Sequence, residues 1–415
     1  MDLSEKGWFS ELLKSKKPQP PQEVLENKSE FIYKTIQPSG LMYGHPILPK
    51  EYISEDFLAL DNSEKLKIVL LDGFVKTAVF PSDAVIPTDP DEYVSFMAKV
   101  IVEFYEQAYP DNDVKLTSFW GKKLSHEEIV EKIINDRLNA TQQHTFWGSF
   151  FNNSLLFLDV FFFGEWLAHP EHLRDSLLEQ RDQTHQLLLE VMIAASYADS
   201  ALQDEEKELF GQLLESVQIS EKRRNYLGQL LKTGHSLDSI DLSTIDEWIL
   251  QKYFLELAIL FVWADQIVTE EEKVFIGKLG KKLGFDNEEI ERSMAAIESF
   301  VVANWGKVSF LQEKNNFNVI SEQFIKRISK VVNKNKQMIS TEIRESKELM
   351  QLLMKSTKED LTPEEQIMVR NQLIDILKIL PTFVIIALPG SFLTLPLLMK
   401  ILPDSALPSA FRKKK

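Results

Sequence analysis

Two stretches of the chain set carboxylates at matched positions. Asp199 precedes Glu206 by seven residues, and Asp265 precedes Glu272 by the same interval. Each pair closes an apolar run ending in Ala-Asp (Met192 to Ala198 and Leu257 to Ala264) and leads through a short turn into an acidic helix start. Carboxylates so placed have two uses. In a first helical turn they are favoured by the helix dipole, and Thr269-Glu270-Glu271-Glu272 reads as a capping box. As oxygen ligands they suit hard cations, which would need donors from both copies at once, at about 2.0–2.6 Å. Neither turn fits an EF-hand loop: Asp199 is followed at the third, fifth and sixth loop positions by Ala201, Gln203 and Asp204, and Asp265 by Ile267, Thr269 and Glu270.

Other chemistries find no residues to work with. The chain has no Gly-rich phosphate loop, no nucleophile elbow and no His-Glu-x-x-His helix, and its seven histidines are scattered. Zero cysteines exclude disulfides, thiolate metal sites and Cys nucleophiles. A formal charge of −16 argues against nucleic acid as the main partner, because phosphate binding wants a face with excess Lys and Arg. The reading is a non-enzyme.

The elements that must position these residues are helices. Apolar residues recur at helical spacing, as in Val94, Met97, Ala98, Ile101, Val102 and Tyr105, and capping boxes open Ser125-His126-Glu127-Glu128 and Thr362-Pro363-Glu364-Glu365. Alternating strand patterns are scarce, so the expected fold is all-α and multi-domain. Trp8, Phe9, Leu12 and Leu13 share one face of a short helix before the basic Lys14 to Lys17 and a Pro-rich breaker; it packs on the protein or rests on a membrane surface. Residues 31–90 read as irregular structure wrapped on helices, with one apolar helix from Leu66 to Val79. The aromatic run from Phe146 to Trp166 is interrupted by Asp159 and Glu165, which favours a buried helix over membrane insertion. From Lys307 to Glu359 there is no Gly or Pro, which predicts one long helix or a helix pair. Lys326, Arg327, Lys330, Lys334 and Lys336 make it locally basic, either as a solvated face or as a face for anionic lipid.

The C-terminal block is the strongest membrane signal. No residue from Ile379 to Met399 is charged, and as a helix that stretch would reach roughly 30 Å, about a hydrocarbon core. Pro381, Pro389, Pro396 and Pro403 recur every seven or eight residues, so kinks at the last three would bend such a helix one way. A single span is the expectation. The alternative is a re-entrant hairpin turning at Pro389-Gly390, which would keep Arg412 to Lys415 on the cytoplasmic side as the positive-inside rule prefers. The N-terminus has no apolar core of signal-peptide length, so the bulk of the chain should stay on the side where it is made.

Residues 361–411 resemble the LETM family of leucine-zipper and EF-hand transmembrane proteins. The likeness rests on Leu361-Thr362, Glu365, Arg370, Asp375, Lys378, Pro381, Pro389, Pro396, Lys400, Pro403 and the closing Leu407-Pro408-Ser409-Ala410-Phe411. It implies a membrane segment marked by Pro381, Pro389, Gly390, Pro396, Lys400 and Pro403, with links to cation homeostasis, ribosome binding or, for bacterial relatives, biofilm formation. Gly390 to Thr394 holds no carboxylate where many members have one, and proton-coupled transport generally needs a titratable group at membrane depth. The acidic repeat resembles the TerB-like tellurite-resistance helical domain over about residues 185–305. That likeness implies a divalent ion, Ca2+ or Mg2+, at Asp199, Glu206, Asp265 and Glu272.

The expected organisation is an N-terminal region (1–125), an aromatic-rich helical region (126–184), a TerB-like domain (185–305), a long connecting helix or pair (306–360) and a C-terminal membrane helix in a LETM-like segment (361–415). The expected function is a membrane-anchored helical scaffold or regulator on the cytoplasmic face of a bacterial inner membrane, with membrane lipid and protein partners or a homo-oligomer. The competing readings are a component of a K+ or Ca2+ transport system, and a soluble protein that buries its apolar tail.

Overall fold

The computed structural model describes residues 3, 5–14, 28–49, 52, 57, 59–78, 86–109, 124–140, 146–168, 174–198, 207, 210–211, 213–214, 217, 219–263, 270–304, 317–356, 358–378, 395–403 and 407. Among these residues all regular structure is helical. In chain order the helices are α1 (Trp8–Lys14), α2 (Lys28–Ile36), α3 (Asn62–Ala78), α4 (Pro90–Ala108), α5 (His126–Ala140), α6 (Phe146–Ser154), α7 (Leu156–Ala168), α8 (Arg174–Ser196), α9 (Glu221–Thr233), α10 (Trp248–Trp263), α11 (Glu270–Lys282), α12 (Asn287–Asn304), α13 (Phe317–Lys334), α14 (Lys336–Glu345), α15 (Lys347–Lys355), α16 (Pro363–Lys378) and α17 (Leu395–Ile401). The chain divides into two compact units, residues 1–258 with 269–275 and residues 259–268 with 276–415, the division falling within α10 and α11.

In the first unit α7 is the central element. Its sequence Leu-Phe-Leu-Asp-Val-Phe-Phe-Phe-Gly-Glu-Trp-Leu-Ala is apolar on every side, which demands an interior position. It packs against α3, α4, α6 and α8. A Cβ on Gly73 of α3 would come within 2.9 Å of Val160, so the missing side chain is what lets these two helices approach. Phe163 meets Phe74 and Phe104 edge-on at 5.0 and 5.5 Å. α1 lies on α4 and α5 with Trp8, Phe9, Leu12 and Leu13 buried. Glu131 of α5 accepts from the backbone N–H groups of Gly7 and Phe9, both at 2.9 Å, and so caps α1 from another helix. The expected capping box before α5 is formed: Ser125 N–H donates to Glu128 and Glu128 N–H to Ser125 Oγ.

In the second unit the stretch expected as one long helix or a helix pair is divided further between residues 317 and 355. α13, α14 and α15 are three helices, separated at Asn335 and Ser346. Ser346 Oγ accepts from Leu349 N–H at 3.3 Å and donates to Gln372 of α16 at 3.0 Å, so a capping residue ends one helix, starts the next and pins both to a neighbour. α16 folds back on α14 and α15, and α17 packs against α13 and α16.

Most of the expected membrane helix, residues 379–394, lies outside the described residues, with only its C-terminal end falling on α17. Among the described residues no helix is long and apolar enough to cross a membrane. α17 carries Pro396, and Pro403 follows two residues past its end. A proline just beyond the last turn suits the end of a helix, so Pro403 does not kink one. Leu398, Ile401, Leu402 and Leu407 are buried in this unit.

The turn at Gly44 is a sensitive point of the first unit. Its φ is +67°, and a Cβ there would sit 1.9 Å from the Phe150 carbonyl oxygen. Gly44→Ala is therefore expected to lower stability by at least about 2 kcal/mol, read from urea denaturation midpoints.

Candidate functional site

The sequence-derived residues fall in three groups. Asp199, Glu206 and Asp265 lie outside the described residues, as do Pro381, Pro389 and Gly390. Glu272 is buried on the first turn of α11. Pro396 lies on α17, Lys400 on its exposed side, and Pro403 is buried just after it. No group of three or more His, Asp or Glu side chains able to hold a metal ion occurs among the described residues.

The most concentrated polar chemistry is elsewhere, inside the first unit. Asp159, fully buried on α7, accepts from Arg137 Nε and Nη2 at 2.9 and 3.0 Å, from the Tyr105 hydroxyl at 2.8 Å and from the Tyr109 hydroxyl. The Tyr109 ring has two guanidinium carbons 4.4 Å from its centre, those of Arg137 and Arg181. Arg181 of α8 is paired with Asp182 and donates to the Ala108 carbonyl at the end of α4, where the helix dipole favours a cation. Asp182 in turn accepts from Ser220 N–H at 3.3 Å, just before α9. Burial, and next the Asp159 charge, holds the Tyr105 hydroxyl well above its usual range, so it is a fixed donor at neutral pH.

A second buried group joins the N-terminal segment to α10. Glu256 accepts from Tyr33 at 2.5 Å and from Tyr43 at 2.7 Å, and Tyr43 also accepts from Gln37 Nε2 at 3.0 Å. Lys252, one turn earlier, places its ammonium 5.5 Å from the Trp248 ring and 5.9 Å from that of Tyr33. The second unit has its own buried acid. Glu298 of α12 accepts from Arg327 Nε of α13 at 2.9 Å, while its other oxygen has no hydrogen-bond partner. Burial pushes its carboxyl upward, and Arg327 opposes the shift.

These arrangements hold helices together. Asp159 and Glu256 have both oxygens engaged by donors from other helices and are enclosed, so they tie elements in place and do not face a substrate. The sequence did carry a signal for them. An acid inside an otherwise apolar run, as in Leu158-Asp159-Val160 or Leu255-Glu256-Leu257, can be buried only with a partner, yet the partners come from up to 223 residues away.

Comparison with protein-family models, with curated proteins and with solved structures gives no match.

His185 of α8 is the titratable group that this network leaves unpaired at Nδ1. Burial, then the charges of Arg181 and Arg137, push it well below the ordinary histidine range, so it is neutral when folded. The unfolded chain binds that proton near pH 6.5, which means this group's contribution is intact above that pH and is lost as pH falls below it. Urea midpoints of the wild type should decline from pH 7.5 to 5, and His185→Gln, which cannot titrate, should decline less.

Proposed function

We propose that the chain is a non-catalytic helical scaffold or regulator that attaches to one leaflet of a membrane through residues 379–394. The observation that carries this reading is that α16 and α17, the helices on either side of that uncharged stretch, pack against each other in one unit. Both ends of the stretch therefore start from one body. Sixteen residues leaving and returning as two helical arms would reach about 12 Å, less than half of a roughly 30 Å hydrocarbon core. A re-entrant attachment fits these flanks better than the span expected from sequence. It also fits the basic tail from Arg412 to Lys415, which then need not cross.

The likeness of residues 361–411 to LETM proteins supports this placement on the cytoplasmic face of a bacterial inner membrane, and the −16 charge suits recruitment of protein partners there. Cation transport is the weaker reading, because no residue from 379 to 399 titrates and a shallow loop encloses no path. Burial of Leu398 and Ile401 favours a second reading, in which the whole apolar tail packs within the protein. Membrane fractionation separates the two: a chain found only in the soluble fraction overturns attachment.

Topology is testable because the chain has no cysteine of its own. Single cysteines at Ser409 and at exposed Ser239 should both resist an impermeant maleimide in intact cells and both react after lysis. Labelling of Ser409→Cys alone from outside would restore the span.

The TerB-like likeness leaves divalent binding at Asp199, Glu206, Asp265 and Glu272 as part of the proposal. If those turns bind Ca2+ or Mg2+, millimolar ion should raise the melting temperature of the full chain by a few degrees, and Asp265→Ala should abolish the rise. A chain whose melting is indifferent to both ions leaves these acids with capping alone.

A further inference from the structure

From Gln323 to Thr341 the chain carries Lys326, Arg327, Lys330, Lys334 and Lys336 and no Asp or Glu, although acids outnumber bases 63 to 47 overall. The structure divides these five cations. Arg327 turns inward, to Glu298 and Glu291 on α12. Lys326, Lys330 and Lys334 recur every four residues on the face of α13 opposite Phe324, Ile328 and Val332, which are buried. All three lysines are exposed, as is Lys336 at the start of α14. None of the four has a hydrogen-bond or ion-pair partner among the described residues. The division matches the chemistry of the two cations: a planar fork suits a fixed internal pair, and a compact charge on a flexible stem suits a fluid anionic surface.

What sets this face apart is several exposed lysines on one stretch with no acid among them. The half-buried bases Arg292 and Lys355 are each paired within a turn, with Glu288 and Glu359. On α13, lysines four residues apart instead repel one another, at a cost of a few tenths of a kcal/mol per pair. Met338, two residues past Lys336, is 37% exposed, an apolar side chain near a basic face as in helices that lie on bilayers. α13 also packs directly on α17, the helix that follows the uncharged stretch. α13 is thus a direct neighbour of the helix that follows the segment proposed to enter the membrane.

We propose that Lys326, Lys330, Lys334 and Lys336 form a docking face for the headgroups of an anionic lipid surface. This inference rests on the membrane attachment proposed above and adds which lipids that attachment selects. Hydrophobic insertion alone does not distinguish neutral from anionic bilayers; four exposed lysines on α13, which packs on α17, and at the start of α14 do.

The experiment is vesicle co-sedimentation of the full chain, with vesicles of phosphatidylcholine alone and of phosphatidylcholine mixed equally with phosphatidylglycerol. The wild type is expected to bind the mixed vesicles more tightly, with the difference shrinking at high salt. The triple variant Lys326→Gln/Lys330→Gln/Lys334→Gln changes only exposed positions, and its helix content by circular dichroism should be unaltered. It should lose about a hundredfold in affinity for the mixed vesicles at low salt and none for phosphatidylcholine. If wild type and variant bind the mixed vesicles equally, the lysine face is overturned while attachment through 379–394 stands. If the wild type binds neither vesicle, both proposals fall.

Discussion

Enclosing an ionised carboxylate in an aromatic core is the constraint around which the first unit is built. α7 is apolar on every side and must be interior, which carries Asp159 inside with it. An unpaired ion there would cost several kcal/mol, so α5 brings Arg137 and α4 brings Tyr105 and Tyr109 to the same point. Hydrophobic burial has no direction; it would accept many rotations of α7 among its neighbours. Four charge-assisted donors aimed at one carboxylate accept one. The second guanidinium on the Tyr109 ring, from Arg181, extends that registration to α8, and through Asp182 to the residue before α9.

The same device recurs with different partners. Glu256 is held by two tyrosine hydroxyls, and those tyrosines belong to α2 and to the short 3-10 turn at Leu41–Tyr43, both within the first 45 residues. Their donor bonds and the left-handed glycines at 40 and 44 give that segment one path across the helices. In the second unit Glu298 has only one oxygen engaged, and the Arg327 that engages it is shared with Glu291. That pairing removes the one arginine from an otherwise all-lysine basic stretch, leaving the lysines on the outer face.

Local signals in the sequence located helices well and their partners poorly. The boxes at Ser125 and Thr362 were readable because each closes within three residues, and both are formed with reciprocal hydrogen bonds. The apolar stripe from Val94 to Tyr105 lies on α4, facing the core as its spacing implies. The breaks at Asn335 and Ser346 carry no Gly or Pro; Asn and Ser end helices by offering the backbone a side-chain partner, a signal no stronger than many others in a polar stretch. Asp159 was legible as an interruption of an aromatic run. That it was a junction was not, since Arg137 and the two tyrosines share no local pattern with it.

The C-terminal prolines show how one periodicity supports two structures. Spaced near two helical turns, they would bend a through-going helix in a single direction; placed beyond a last turn, as Pro403 is after α17, a proline stops a helix. α17 packs against α13 and α16, with Leu398 and Ile401 buried. A through-going span would have to withdraw those residues from the bundle and expose the faces of α13 and α16 that meet them. The contacts that hold α17 are thus what the proposed re-entrant attachment rests on.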